Sequence, residues 1–172
     1  QAAISVRADF PDSTIRILLQ AVQQSAVAEY ADGLIRALIV LSNTYAYIGA
    51  YNQALEILQE AVPQSIDAGL QRYLPTLYNN RASLYRTLGD YEQAARCYFQ
   101  AIQLSEKFMP TMSRGLIYSN LSTVLLQLGR VDQALFYLDK AEEVSRHEEN
   151  FELAASVLIH KGVFYVEQRD WE

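Results

Sequence analysis

One cysteine, two histidines, two methionines and four prolines among 172 residues leave this chain little reactive chemistry. With Cys97 alone, no disulfide can close within the chain, which fits a reducing compartment. Its neighbours Ala94, Tyr98 and Ala101, at helical spacings, make it a packed thiol. Neither His147 nor His160 has a second ligand at a metal-type spacing such as H-E-x-x-H or C-x-x-C, so no metal is expected. No Gly-rich phosphate loop or G-x-S-x-G elbow is present, and Cys97 has no histidine predicted beside it. No catalytic residue, enzymatic activity or cofactor is therefore expected. The carboxylates Glu142, Glu143, Glu148, Glu149 and Glu152 read as a solvated helix end rather than an acid/base pair. Lys and Arg number 14 against 20 Asp and Glu, a net charge of -6, without a basic cluster, and this disfavours direct nucleic-acid binding. No apolar run approaches the roughly 18 residues of a membrane helix, and no signal peptide is visible, so a cytoplasmic chain without membrane attachment is expected.

What the chain does have is a period. Ala21, Ala61, Ala101 and Ala141 stand 40 residues apart, in register with Gly49, Gly89 and Gly129. The segments Tyr47-Ile48-Gly49-Ala50-Tyr51, Thr87-Leu88-Gly89-Asp90-Tyr91 and Gln127-Leu128-Gly129-Arg130-Val131 are successive copies, and Asp170-Trp171 belongs to a fourth. Self-similarity at this period marks a solenoid whose units stack because none can bury its apolar face alone. With 51% hydrophobic residues the chain can build such a core.

Each copy reads as two helices. From Leu77 to Leu88 apolar residues recur at spacings of three and four, and Gly89 then ends the helix in the left-handed conformation that glycine adopts without a Cβ clash. Gly49 and Gly129 are expected to do the same. A second helix starts near Tyr91 with Ala94, Tyr98 and Ala101 on one face, matched by Ala54, Leu58 and Ala61 and by Ala134, Leu138 and Ala141. Residues around 12 to 31 are expected to form another second helix, carrying Leu18 and Ala21, with its first helix mostly missing. Leu158, Gly162 and Tyr165 fit a first helix without its partner. The expected division is a partial repeat at 1–31, repeats at 32–70, 71–110 and 111–150, and a partial repeat at 151–172, as in a fragment of a longer array. Pro63 falls inside a second helix and should bend it, whereas Pro75 and Pro110 fall near first-helix starts, where a missing N–H costs little.

Tyr78, Ala82, Tyr85, Gly89, Asp90, Tyr91, Ala94, Tyr98 and Ala101 fill in order the pattern of the tetratricopeptide repeat, and the chain resembles that family over nearly its whole length. The first copy keeps Leu38 and Ser42, and the third replaces two aromatics with Leu125 and Val131. HEAT repeats share the period but lack the Gly-Asp-Tyr turn and the paired alanines. A 40-residue unit resembles the long-helix members, such as Pins-like adaptors, kinesin light chains and the sensor regions of MalT-like regulators. The resemblance implies an all-α, right-handed superhelical α-solenoid, whose first helices line a concave groove that binds a segment of another protein.

Carried onto this sequence, the groove-facing positions are Arg36, Asn43 and Tyr47, then Asn79, Asn80, Ser83 and Arg86, then Ser119, Asn120, Thr123 and Gln127, then Ser156 and His160. Asn80, Asn120 and His160 stand at one repeat position, and a side-chain amide there can both donate to and accept from a ligand backbone. Each Asn could equally bond the neighbouring helix, and Tyr47 could be an anchor or core. Some family members grip a terminal carboxylate with cations beside asparagines. Here Asn43 and Asn80 fit, but Ile39, Leu116 and Asn120 replace the cations. Ile39, Leu116, Ile159 and Val163 add apolar area beside the polar positions, which suits a peptide or amphipathic helix as partner. A regulatory or sensor segment of a larger signalling chain, MalT-like, is the alternative. Self-association through Val163, Phe164 and Trp171 at the end of the array is also expected.

Overall fold

The structure, a computed structural model, describes residues 2–108 and 111–169, and every element among them is helical. Pro110 and Trp171 lie outside the described residues. The helices are α1 (Ala2–Val27), α2 (Ala31–Tyr47), α3 (Tyr51–Asp67), α4 (Leu74–Thr87), α5 (Tyr91–Phe108), α6 (Thr111–Gln127), α7 (Val131–His147) and α8 (Phe151–Arg169), with a 3-10 turn at Gln71–Tyr73 before α4. The helix expected around 12 to 31 instead covers Ala2–Val27, because a left-handed residue at Glu29 closes it and Ala31 already opens α2.

The turns follow from backbone chemistry. Gly49, Gly89 and Gly129 take φ values of 82°, 81° and 69°. Just past each of them, the N–H of Ala50, Asp90 and Arg130 donates to the carbonyl of Tyr45, Tyr85 and Leu125 at 2.9, 2.9 and 2.8 Å, which satisfies otherwise orphaned helix-end groups. The Asp90 carboxylate then accepts the Gln93 N–H at 3.1 Å and caps α5, and the Asn150 side chain caps α8 through the Leu153 N–H at 3.0 Å. Second helices close in the same way around Gly69, at φ 69°, and around Glu29 and Glu149, at 52° and 51°. Helix α3 continues through Pro63 to Asp67, and Pro75 sits at the start of α4, where its ring is tolerated.

Two units, Gln1–Leu84 and Tyr85–Glu172, are each built around their own core. In the first, α1 packs on α2 and α2 on α3, and Ile35, Leu38, Leu41, Ala54, Leu58, Ala61 and Leu77 are buried. In the second, α5 packs on α6, α6 on α7, and α8 on both α6 and α7. Its core holds Ala94, Tyr98, Ala101, Leu121, Leu125, Ala134, Leu138, Ala141, Leu153 and Val157. The repeating alanines Ala54, Ala61, Ala94, Ala101, Ala134 and Ala141 are fully buried, so small side chains set the helix spacing. Cys97 is buried, as expected of a packed thiol. Phe164, expected to drive association from an open end, is instead only 5% exposed within the second unit. Val163 remains about half exposed.

Candidate functional site

In the first unit the expected positions lie on α2 and α4. The Asn80 amide donates to the Asn43 side-chain oxygen at 2.8 Å, a bridge between the two helices, and the Asn79 amide donates to the Asn80 oxygen at 3.3 Å. One Asn80 amide hydrogen is therefore used by a neighbouring helix. The Asn79 oxygen is buried with no hydrogen-bond partner. Tyr47 is 88% exposed, which removes it from the core and leaves it as a surface aromatic. Arg36 is exposed beside Asp32 at 4.0 Å, and Ser83 is half-buried.

In the second unit, on α6 and α8, Ser119 departs from expectation. It is only 2% exposed, and its hydroxyl lies 3.0 Å from His160 Nδ1, because α6 packs against α8 at that point. The Ser119 hydroxyl thus joins α6 to α8 through His160. Thr123 donates to the Ser119 carbonyl at 3.3 Å. Asn120 is half-buried and makes no side-chain hydrogen bond among the described residues, so its amide is open. Gln127 is exposed and Ser156 is half-buried. Burial, and after it the Arg86 charge, holds the His160 imidazole below its ordinary value. Arg86 is half-buried, with a buried Nε that makes no hydrogen bond. Leu116, Ile159 and Val163 are exposed and place apolar area on these same two helices.

Several groups escaped the sequence reading. Asp32 accepts from Arg72 and from the Tyr73 hydroxyl at 2.8 Å, and the Tyr73 bond holds its carboxyl below the usual range. The 40-residue register contains that signal, because Asp32 and Arg72 are opposite charges at one repeat position. On α8, Lys161 binds Asp139 at 2.9 Å and also Glu142, and these bonds raise its ammonium above the ordinary value. Two hollows of about 310 Å³ each open in the second unit. One is lined by Arg114, Tyr118, Lys140, Glu143, Val144 and His147, the other by Phe99, Asp132, Gln133, Phe136 and Tyr137. Among the described residues no group of three or more His, Cys, Asp or Glu could hold a metal, and no helix is long and apolar enough to cross a membrane.

Paired antiparallel helices with a left-handed turn residue, small buried residues at fixed positions and a 40-residue period define a helix-hairpin repeat protein. Residues 73–147 match the tetratricopeptide repeat family, and the described residues form an all-α helical-repeat fold of the kind seen in tetratricopeptide solenoids. No curated protein sequence matches it. Among solved structures it is similar to BtubC (BKLC) from P. vanneervenii, with 22% identity and a TM-score of 0.78 over 93% of this chain and 67% of that one. It is similar also to the Rap conjugation gene regulator of the plasmid pLS20 in complex with the Phr* peptide, at 16% identity and a TM-score of 0.77, covering 87% of this chain and 41% of that one. NprR in complex with its cognate peptide NprX matches at 20% identity and a TM-score of 0.76, over 91% of this chain and 46% of that one. The chain thus spans less than half the length of either protein solved with a peptide, and at these identities the likeness concerns the fold.

Proposed function

We propose that this chain is a protein-interaction scaffold whose first helices bind a peptide or helical segment of another protein. The observation that carries the reading is the composition of the second unit's α6 and α8 surface. Asn120 offers an open amide, His160 is fixed by Ser119, and Leu116, Ile159 and Val163 expose apolar area that the unit's own core does not use. Backbone-reading amides beside apolar contacts suit a segment that presents both main chain and side chains. In the first unit the Asn80 amide is tied to the Asn43 oxygen, so the Asn43 amide group, the second Asn80 amide hydrogen and the exposed Tyr47 are the groups offered to a partner. That two similar folds, a conjugation gene regulator and the quorum sensor NprR, were solved with peptides supports this reading and favours a second one, in which the chain is a regulatory or sensor segment of a larger signalling protein.

The test is a selection of displayed random peptides against the chain, followed by titration of the selected peptides with an Asn120→Ala variant. Loss of about 1 kcal/mol or more of binding, with helicity unchanged by circular dichroism, is the expected result. Peptides that bind the variant equally well would place the contact elsewhere.

A further inference from the structure

The hollow between α5 and α7 has a composition that the fold does not call for. Phe136 is 54% exposed. At its repeat position the two preceding copies carry Arg96 and Glu56, both on the surface. Phe99 likewise stands where the two adjacent copies carry Gln59 and Asp139. Two aromatic rings therefore replace polar residues at positions that packing leaves free, at the cost of exposed apolar area. Tyr137 holds them in place. Its ring meets Phe136 edge-on at 5.2 Å and 84°, and Phe99 at 5.9 Å and 62°, and Tyr118 backs it at 5.9 Å. The result is a preorganised aromatic wall around about 310 Å³.

The polar part of the lining is acidic. Asp132 is exposed and makes no ion pair among the described residues, whereas Glu92, at the same position one copy earlier, binds Arg130 at 2.7 Å. No cation is among the described residues that line this hollow. Lys140, which lies over the Phe136 ring at 5.7 Å from its centre, belongs to the lining of the neighbouring hollow. Aromatic faces and an unpaired carboxylate both attract cations and repel phosphates and carboxylates, and the net charge of -6 adds long-range attraction for a basic partner.

We propose that this hollow receives an arginine side chain from a basic partner segment. The guanidinium stacks on the Phe136 ring, with the Tyr137 ring standing at right angles beside it, and pairs with the Asp132 carboxylate. Arginine is favoured over lysine because a planar fork can lie flat on a ring while giving two parallel hydrogen bonds to one carboxylate, and a compact ammonium cannot do both. The site is separate from the first-helix surface, and its success or failure leaves the peptide reading untouched.

The test titrates the whole chain with Nα-acetyl-arginine amide, following the ring protons of Phe99, Phe136 and Tyr137 by NMR. Neutral Nα-acetyl-citrulline amide and the acetyl-lysine and acetyl-trimethyllysine amides serve as comparisons. Saturable shifts of these three residues by the arginine derivative are expected, with binding weakened about fivefold by Phe136→Ala and by Asp132→Asn, the size of one exposed cation–ring or charge contact. Exposed Asp67→Asn, in the other unit, should change nothing. Circular dichroism checks that both hollow variants remain folded. Absence of shifts, equal binding of citrulline, or unchanged binding in Asp132→Asn would overturn the proposal. Tighter binding of trimethyllysine than of arginine would overturn its assignment to a guanidinium.

Discussion

Single residues in this chain carry constraints that differ from copy to copy, and the left-handed turn positions show it best. Gly69 occupies its position at φ 69° without strain, whereas Glu149 is held at 51° with a Cβ. Glu149→Gly should therefore stabilise the protein by about 0.5 to 1 kcal/mol, the relief of strain less the entropy that glycine adds to the unfolded chain. Urea titration checks this, with Gly89→Ala expected to lose about 1 kcal/mol or more in the same assay. His160 gives a pH signature. Its folded value lies below the ordinary imidazole value near 6.5, chiefly through burial, so the unfolded chain takes up a proton that the folded chain refuses. Stability should be complete above that pH and fall as pH drops below it. Melting curves at pH 7.5 and 5.5 should show a smaller difference in His160→Gln than in the parent; an unchanged difference would remove His160 from the account.

Among the helices, the agreement of period, turn and cap explains why so much of the fold was legible. The Gly-Asp-Tyr turn states its own mechanism, since Gly89 takes the left-handed position and Asp90 caps the helix that follows. Asp90→Ala should accordingly cost about 1 kcal/mol. The alanines at spacings of four and three announce close helix contacts, and Ala94→Leu should destabilise by roughly 1 to 3 kcal/mol through overpacking, measured by thermal unfolding. Second-helix ends were harder to read. They close on Glu29 and Glu149 with no glycine to mark them, and what recurs there is a serine, at Ser65, Ser105 and Ser145, whose hydroxyl donates to a main-chain carbonyl at 2.7 to 2.8 Å. Side-chain pairing between helices was also hidden. Sequence spacing put Asn80 and Ser119 on a ligand-facing surface, but only the packing of α4 near α2 and of α8 against α6 reveals that each is engaged with Asn43 and His160.

For the molecule as a whole, repetition supplies a ruler for separating architecture from function. Positions that keep their character in every copy, such as the buried alanines, belong to the fold. Positions that depart from the other copies without a packing reason, such as Phe136, or that stay open on a first helix, such as Asn120, are where a partner would be read. The fold was legible because its signals recur every 40 residues, whereas a binding surface is written once and carries no internal echo. The most direct test of the scaffold account is hydrogen exchange of the chain with and without a peptide selected against it. The account predicts added protection concentrated on first-helix segments, above all around Asn120 and His160 on α6 and α8. Protection confined to the second helices α5 and α7, with α6 and α8 unchanged, would contradict it.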